Sequence, residues 1–144
     1  MNFKNIIIEE YKSIYFDDIC FLLQEISAFI PDDITRSRSI KSYINDKNSY
    51  SVVAKENKKI IAFGSIFMFI RVRGGKVGIL EDIIVHKKFR SKKIGSLIVK
   101  ELIDYAEENG CFKISLETSR ENCKFYEKLN FKQNGTSMSL ILGN

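Results

Sequence analysis

The sequence predicts an α/β fold, a mixed central sheet flanked by helices on both faces, and three observations predict it. Apolar spacing is helical in two early segments, strand-like from Tyr50 to Val85, and helical again after Gly95. The strand-like stretch is cut by turn residues at Glu56 to Lys58 and at Gly74-Gly75, which gives a three-stranded antiparallel meander. A helix between two apolar strands then supplies a crossover of the kind that joins parallel neighbours. With 144 residues, 44% of them hydrophobic, the chain suffices for one domain with a core, residues 1–144, and is too short for two.

Taken in order, "NFKNIIIEEY" reads as the first strand. "DDICFLLQEISAFI" reads as a helix whose apolar face is Ile19, Leu22, Leu23 and Ile26, stopped by Pro31. "DDITRSRSIKSYINDKN" reads as a second helix, capped by Asp32 or Asp33 and ended at Asn45 to Asn48. The meander follows. Beyond it, Ile94, Leu97, Ile98, Leu102, Tyr105 and Ala106 share one helical face, and Asn109-Gly110 ends that helix. "FKISLET" is the crossover's second strand, parallel to the strand that ends at Val85. Thr118 and Glu121 have the spacing of a capping box for a last helix, "RENCKFYEKL", which Asn130 can end in a left-handed conformation; "FKQNGTSMSLIL" reads as a final strand.

Charge and cysteine usage remove several function classes. Cys20, Cys111 and Cys123 have no metal-ligand spacing and His86 is the sole histidine, so neither a disulfide framework nor a metal site is expected. No apolar run approaches 18 residues and the start lacks signal-peptide character, which sets a cytoplasmic expectation with no membrane partner. The net charge is +5, and "HKKFRSKK" concentrates it in a run that suits a polyanion. No aromatic pairs interleave that run and no basic amphipathic helix is evident, so a nucleic-acid partner is not expected.

The chemistry-bearing residues cluster around the crossover. A basic loop entering a helix at Ile94 and Gly95 aims unpaired N–H groups and the positive end of the helix dipole at one spot, which suits phosphate. Gly95 lets backbone approach a ligand, and Arg90, Lys92 and Lys93 surround the spot with charge. Glu81 and Asp82 stand side by side in a strand of Ile, Leu and Val and should face opposite sides of the sheet. Asn122 and Tyr126, four residues apart, share a face of the last helix. Each has a plainer reading: a solvated loop, carboxylates paired with lysines, a tyrosine that packs.

"LEDIIVHKKFRSKKIGSLIVKEL" followed by "GCFKISLETSRENCKFYEKLNF" resembles the acetyl-CoA-binding core of the GNAT acyltransferases, and most closely the glucosamine-6-phosphate N-acetyltransferases. The likeness runs from about Tyr50 to Ser139. The family loop is Arg or Gln, two residues, Gly, one residue, Gly or Ala; Arg90, Lys93 and Gly95 fill the marked places, and Lys93 departs from the first glycine. The resemblance implies the GNAT fold and acetyl-CoA as co-substrate without a metal. It assigns the coenzyme pyrophosphate to the loop and helix start formed by Arg90, Ser91, Lys92, Lys93, Ile94, Gly95 and Ser96. It assigns the pantetheine arm to the backbone of Ile83, Ile84 and Val85, with Asn122, Tyr126 and Lys128 beside it.

For catalysis, an attacking amine must lose a proton, so a base or a water path to one is needed: Glu81 first, with Asp82 and Glu117 as alternatives. A backbone amide near Ile84 suits the oxyanion in the family geometry, and Tyr126 matches the family tyrosine that protonates the departing thiolate. Direct transfer in a ternary complex is implied, which leaves Cys123 a bystander. The implied acceptor is a small phosphorylated amine, glucosamine 6-phosphate first. Other implied acceptors are an aminoalkylphosphonate, a polyamine or a protein N-terminus. Glu81 and Asp82 would face the acceptor, and a homodimer is implied. Family members reach the sugar phosphate with a C-terminal arginine, but "SMSLILGN" has none, so Arg36 and Arg38, or Arg71 and Arg73, are the candidate substitutes.

Overall fold

The computed structural model describes residues 5–142. Five strands form one sheet in sequence order: β1 (Ile6–Glu10), β2 (Ser49–Glu56), β3 (Lys59–Ile70), β4 (Lys76–Val85) and β5 (Cys111–Leu116). The first four pair antiparallel and β5 joins β4 in parallel, as the crossover requires. Helices α1 (Phe16–Leu23) and α2 (Asp33–Asn45) precede β2, α3 (Ile94–Glu108) makes the crossover, and the short α4 (Cys123–Glu127) follows β5. The expected first strand extends toward Asn2, and that part lies outside the described residues.

Two apolar layers hold the sheet. On one face Ile66, Met68 and Leu80 pack with Ile94, Ile98, Val99 and Leu102 of α3, and Phe125, Tyr126 and Leu129 close the end of this layer. On the other face Phe63 and Ile84 meet Ile19 and Leu22 of α1, with Tyr43 of α2 beside them. Leu97, expected on the buried face of α3, is exposed, and Val99 takes the buried place.

Several local expectations hold for their stated reasons. Asp32 caps α2 by accepting from the Thr35 amide at 2.7 Å. Asn57 and Lys58, both left-handed, make the tight turn between β2 and β3. Gly110 at φ 80 and Asn130 at φ 68 take the left-handed places after α3 and α4.

Three expected segments or caps differ. The first helix ends at Leu23 instead of running to Pro31: Gln24 donates its amide to the carbonyls of Cys20 and Phe29 and folds the chain back. Ile26, Phe29 and Ile30 are left exposed, so no burial rewards further helix. The capping box of Thr118 and Glu121 does not form. A turn of 3-10 helix (Arg120–Asn122) begins at Ser119, which makes no side-chain cap bond. Finally, the segment from Phe131 to Leu142 forms no strand: past Phe131, which packs on Tyr126, no strand among the described residues pairs with it, and Met138 and Leu140 are 92% and 82% exposed.

One irregularity in β4 places the site. Ser65 pairs with Glu81 and Phe63 with Ile84, so a single residue of β3 spans two of β4, Asp82 and Ile83. This is a β-bulge, and Asp82 carries it at φ 54. Its effect is visible in the core. Leu80 and Ile84, four apart, would share a face in a regular strand, yet Leu80 packs toward α3 and Ile84 toward α1. Glu81 and Asp82 therefore do not follow the simple alternation expected of them. Pairing of β4 with β5 also stops at Leu80 and Leu116, so beyond the bulge the two parallel strands part.

Candidate active site

The parted strands open a cleft of about 1060 Å³. Its walls are Leu80 to Val85 of β4, the end of β5 at Leu116 with Glu117 to Ser119 beyond it, the loop and first turn of α3, and α4 with its preceding turn. Past Leu80 the β4 edge that β5 would otherwise use is free, which leaves backbone groups open to an extended ligand. One of them is already engaged, since the Val85 carbonyl accepts from Arg90 Nε at 3.1 Å.

At one end of the cleft lies the start of α3. Lys93 stands at its N-cap at φ 60 and ψ 7 and provides no side-chain cap, so the N–H groups of the first turn have no side-chain partner. Ser91 is left-handed as well, at φ 64. Two such residues around an uncapped helix start turn successive amides inward, the geometry that binds phosphate. Lys93 thus explains the family glycine at its place, a position that favours a residue without Cβ.

Gly95 has a second reason to be glycine: a Cβ there would lie 3.3 Å from Phe125 Cζ and 3.4 Å from Val85 Cγ2, so its absence lets α4 close against α3. Arg90 lines the cleft but is not free. Its Nη2 pairs with Glu25 Oε2 at 2.6 Å, tying the segment after α1 to the loop.

At the other end are the carboxylates of Glu81, Asp82 and Glu117, all lining the cleft. Desolvation raises the Glu81 carboxyl above its ordinary value, and the negative charges of Asp82 and Glu117 push it the same way. Burial alone raises Asp82. Ser137 donates a hydrogen bond to Glu117 and so brings the C-terminal segment to this corner. Tyr126 also lines the cleft, its ring held edge-on by Phe125 at 4.8 Å and by Phe131 at 5.8 Å. Burial raises its phenol, which stays protonated and able to donate.

Of the residues singled out in the sequence, the cleft brings together Glu81, Asp82, Ile83, Ile84, Val85, Arg90, Ser91, Lys93, Ile94, Gly95, Ser96, Glu117, Asn122, Tyr126 and Lys128. Lys92 stands outside, its Nζ 5.0 Å from the Phe89 ring centroid. Arg36 and Arg38 also lie off the cleft. Arg36 makes a bidentate pair with Asp17 at 2.7 and 2.5 Å, and Arg38 is exposed on α2. Sequence reasoning passed over Glu25, Phe89 and Phe125. Phe125 sits inside the "FYEK" stretch and was legible there as an aromatic beside Tyr126. Glu25 meets Arg90 across 65 residues, and no local pattern signals that.

Comparison with known proteins agrees with this geometry. Residues 10–131 match the Acetyltransferase (GNAT) family. Glucosamine 6-phosphate N-acetyltransferase 1 of Dictyostelium discoideum is 43% identical over 98 residues, 65% of this chain and 62% of that protein. The Candida albicans glucosamine 6-phosphate N-acetyltransferase is 30% identical over 94% of this chain and 92% of its own length. The crystal structure of glucosamine-6-phosphate N-acetyltransferase from Arabidopsis thaliana superposes with a TM-score of 0.85, at 27% identity, over 96% of this chain and 99% of that one. A bulged fourth strand, a parallel partner that parts from it and an uncapped helix start at the opening are thus joined to a family match over most of the sequence: this chain belongs to the GNAT family of acetyltransferases.

Proposed function

We propose that the chain transfers the acetyl group of acetyl-CoA directly to a primary amine, with glucosamine 6-phosphate as the acceptor. One observation carries the reading: the free edge of β4 beyond Leu80 and the uncapped start of α3 open into the same cleft. That pairing fits a ligand with an extended, amide-bearing arm and a pyrophosphate. The acceptor is drawn from the relatives' names, three of which are 43%, 36% and 30% identical to this chain.

In this reading the backbone of Ile83 to Val85 aligns the pantetheine arm, and the amides from Ser91 to Ser96 take the pyrophosphate. Glu81, with its raised carboxyl, receives a proton from the acceptor ammonium, with Asp82 and Glu117 close enough to share the task. The freed amine nitrogen bonds to the acetyl carbon while an amide near Ile84 steadies the oxyanion. As the carbon–sulfur bond breaks, Tyr126 supplies a proton to the thiolate and the nitrogen sheds its extra proton to the carboxylates; of the two protons the carboxylates then hold, one returns to the Tyr126 phenolate through water and the other leaves to solvent.

Among the described residues the cations lining the cleft are Arg90, Lys93 and Lys128, and Lys128 is the one outside the coenzyme loop. It is our candidate for the acceptor phosphate, in place of Arg36 and Arg38. We further propose a homodimer. The exposed apolar run Met138, Leu140, Ile141 and Leu142 and the outer edge of β5 are surfaces a second copy would cover. A cytoplasmic setting accords with three unpaired cysteines.

The carboxylate-rich acceptor end favours a second reading, a cationic polyamine. Steady-state kinetics on glucosamine 6-phosphate, glucosamine, aminoethylphosphonate and a polyamine separate them. A specificity constant for the phosphosugar about ten- to a hundredfold above that for glucosamine is expected from one charge-assisted phosphate contact. Equal use of the two sugars, or preference for the polyamine, overturns this acceptor.

A further inference from the structure

Two serines interrupt an otherwise apolar sheet. Ser51 and Ser65, 4% and 0% exposed, are the buried polar residues among those described. They are register partners across β2 and β3, and Ser65 is in turn the partner of Glu81 across β3 and β4. A row of three polar residues therefore crosses the sheet and ends at the residue before the bulge. Ser65 Oγ donates to the Glu81 carbonyl at 3.2 Å. Tyr43 closes the other end: its hydroxyl lies 2.6 Å from Ser51 Oγ, and Ser65 is a second polar neighbour of that hydroxyl. Its ring sits edge-on to Tyr11 at 5.2 Å and to Phe67 at 6.1 Å, so it is anchored from two sides.

The row has no obvious value for stability alone. A buried hydroxyl costs free energy until it is hydrogen-bonded, and even then it does little better than an apolar side chain. What it does supply is a fixed point beside Asp82. A non-glycine residue at φ 54 is strained, and such a conformation persists only where its surroundings hold it. The bulge in turn aims Glu81 and Asp82 and frees the amides that follow.

We propose that Ser65, backed by Ser51 and Tyr43, is a positioning residue that holds the β4 bulge in its reactive shape. It touches neither reactant and acts through the Glu81 carbonyl. The kinetic part rests on the acetyltransferase reading; the structural part does not.

The test uses Ser65→Ala and the near-isosteric Tyr43→Phe, with amide hydrogen exchange followed residue by residue alongside turnover. In Ser65→Ala the amides of Glu81 and Ile84, the residues paired with β3 on either side of the bulge, should exchange about tenfold faster while those of Ile98, Val99 and Leu102 in α3 keep their rates, as a lost local hydrogen bond dictates. The kcat should fall about tenfold with the acetyl-CoA KM within about twofold, the split expected of misplaced chemistry with binding intact. Tyr43→Phe should shift both readouts the same way, by about threefold. Unchanged exchange at the bulge overturns the proposal. So does equal acceleration in α3, which marks a merely structural role, and so does a loosened bulge that turnover ignores. If the parent protein transfers no acetyl group, the functional reading fails, and the exchange pattern by itself still decides whether Ser65 holds the bulge.

Discussion

Two left-handed residues, Asp82 and Lys93, stand toward the two ends of the cleft. Neither backbone state was legible from residue type. Lysine is not a usual choice at positive φ, and only the resemblance to a loop with glycine there hinted at it. Aspartate tolerates the conformation better because its short side chain can bond locally. The carboxylates beside the bulge carry a testable trade-off. Glu81 is raised by desolvation first and by Asp82 and Glu117 next, so the fold disfavours its charged form. The unfavourable contribution is absent well below the ordinary carboxylate value of 4.5, grows as pH rises through that value, and is complete above the raised one. Glu81→Gln should therefore melt at a higher temperature than the parent at pH 7, and the gain should vanish in acid. The same substitution should cut kcat about a hundredfold, in the range of a lost general base, and remove the acid limb of the pH–rate profile. Thermal melts and pH–rate curves on both proteins check the pair of effects. Tyr126→Phe keeps the ring that Phe125 and Phe131 hold and removes only the donor. We expect kcat to fall about tenfold or more with acetyl-CoA affinity nearly intact, and binding by calorimetry beside single-turnover rates would show it.

Among elements, α3 was the most legible and α1 the least. The apolar face of α3 repeats at helical spacing over fifteen residues and has a whole sheet face to cover, so pattern and packing agree. In α1 the apolar spacing continues past Leu23 through Ile26, but the sheet offers no surface there, and Gln24 turns the chain instead. The capping box failed for a related reason: spacing can propose a cap, but the chain leaving β5 first makes the turn over Arg120–Asn122. Gly95 joins α3 to α4 and gives the prediction at this scale. In Gly95→Ala the methyl would meet Phe125 and Val85 at 3.3 and 3.4 Å. Crowding costs about 1–3 kcal/mol and the better helix propensity returns about 1 kcal/mol. Net stability should thus fall only modestly, by about 2 kcal/mol or less. The dissociation constant for acetyl-CoA should nevertheless rise about tenfold, because α4 and the loop no longer close together. Chemical denaturation and calorimetry measure the two, and an unchanged dissociation constant would separate α4 closure from coenzyme binding.

For the whole molecule, the meander, the parallel crossover and the helices on both faces could be read from the order of periodicities, because each element's pattern has one dominant partner. The cleft could not be read that way. It exists because one extra residue in β4 reverses the alternation between Leu80 and Ile84 and parts the strand from β5, and nothing in "GILEDIIV" distinguishes a bulge from a regular strand. The final segment shows the opposite failure. "TSMSLIL" has strand character but no strand partner among the described residues, where Ser137 bonds to Glu117. That apolar run belongs to our dimer proposal, whereas the proposed catalysis draws on β4, β5, α3 and α4 of one chain. Thiol release from acetyl-CoA, followed continuously with glucosamine 6-phosphate as the varied substrate, tests that account most directly. It predicts release that saturates with the sugar phosphate, matches N-acetylated product mole for mole, and leaves no acetyl group on Cys123 or any other residue. Release that ignores the amine, or an acetylated protein that accumulates ahead of product, would contradict it.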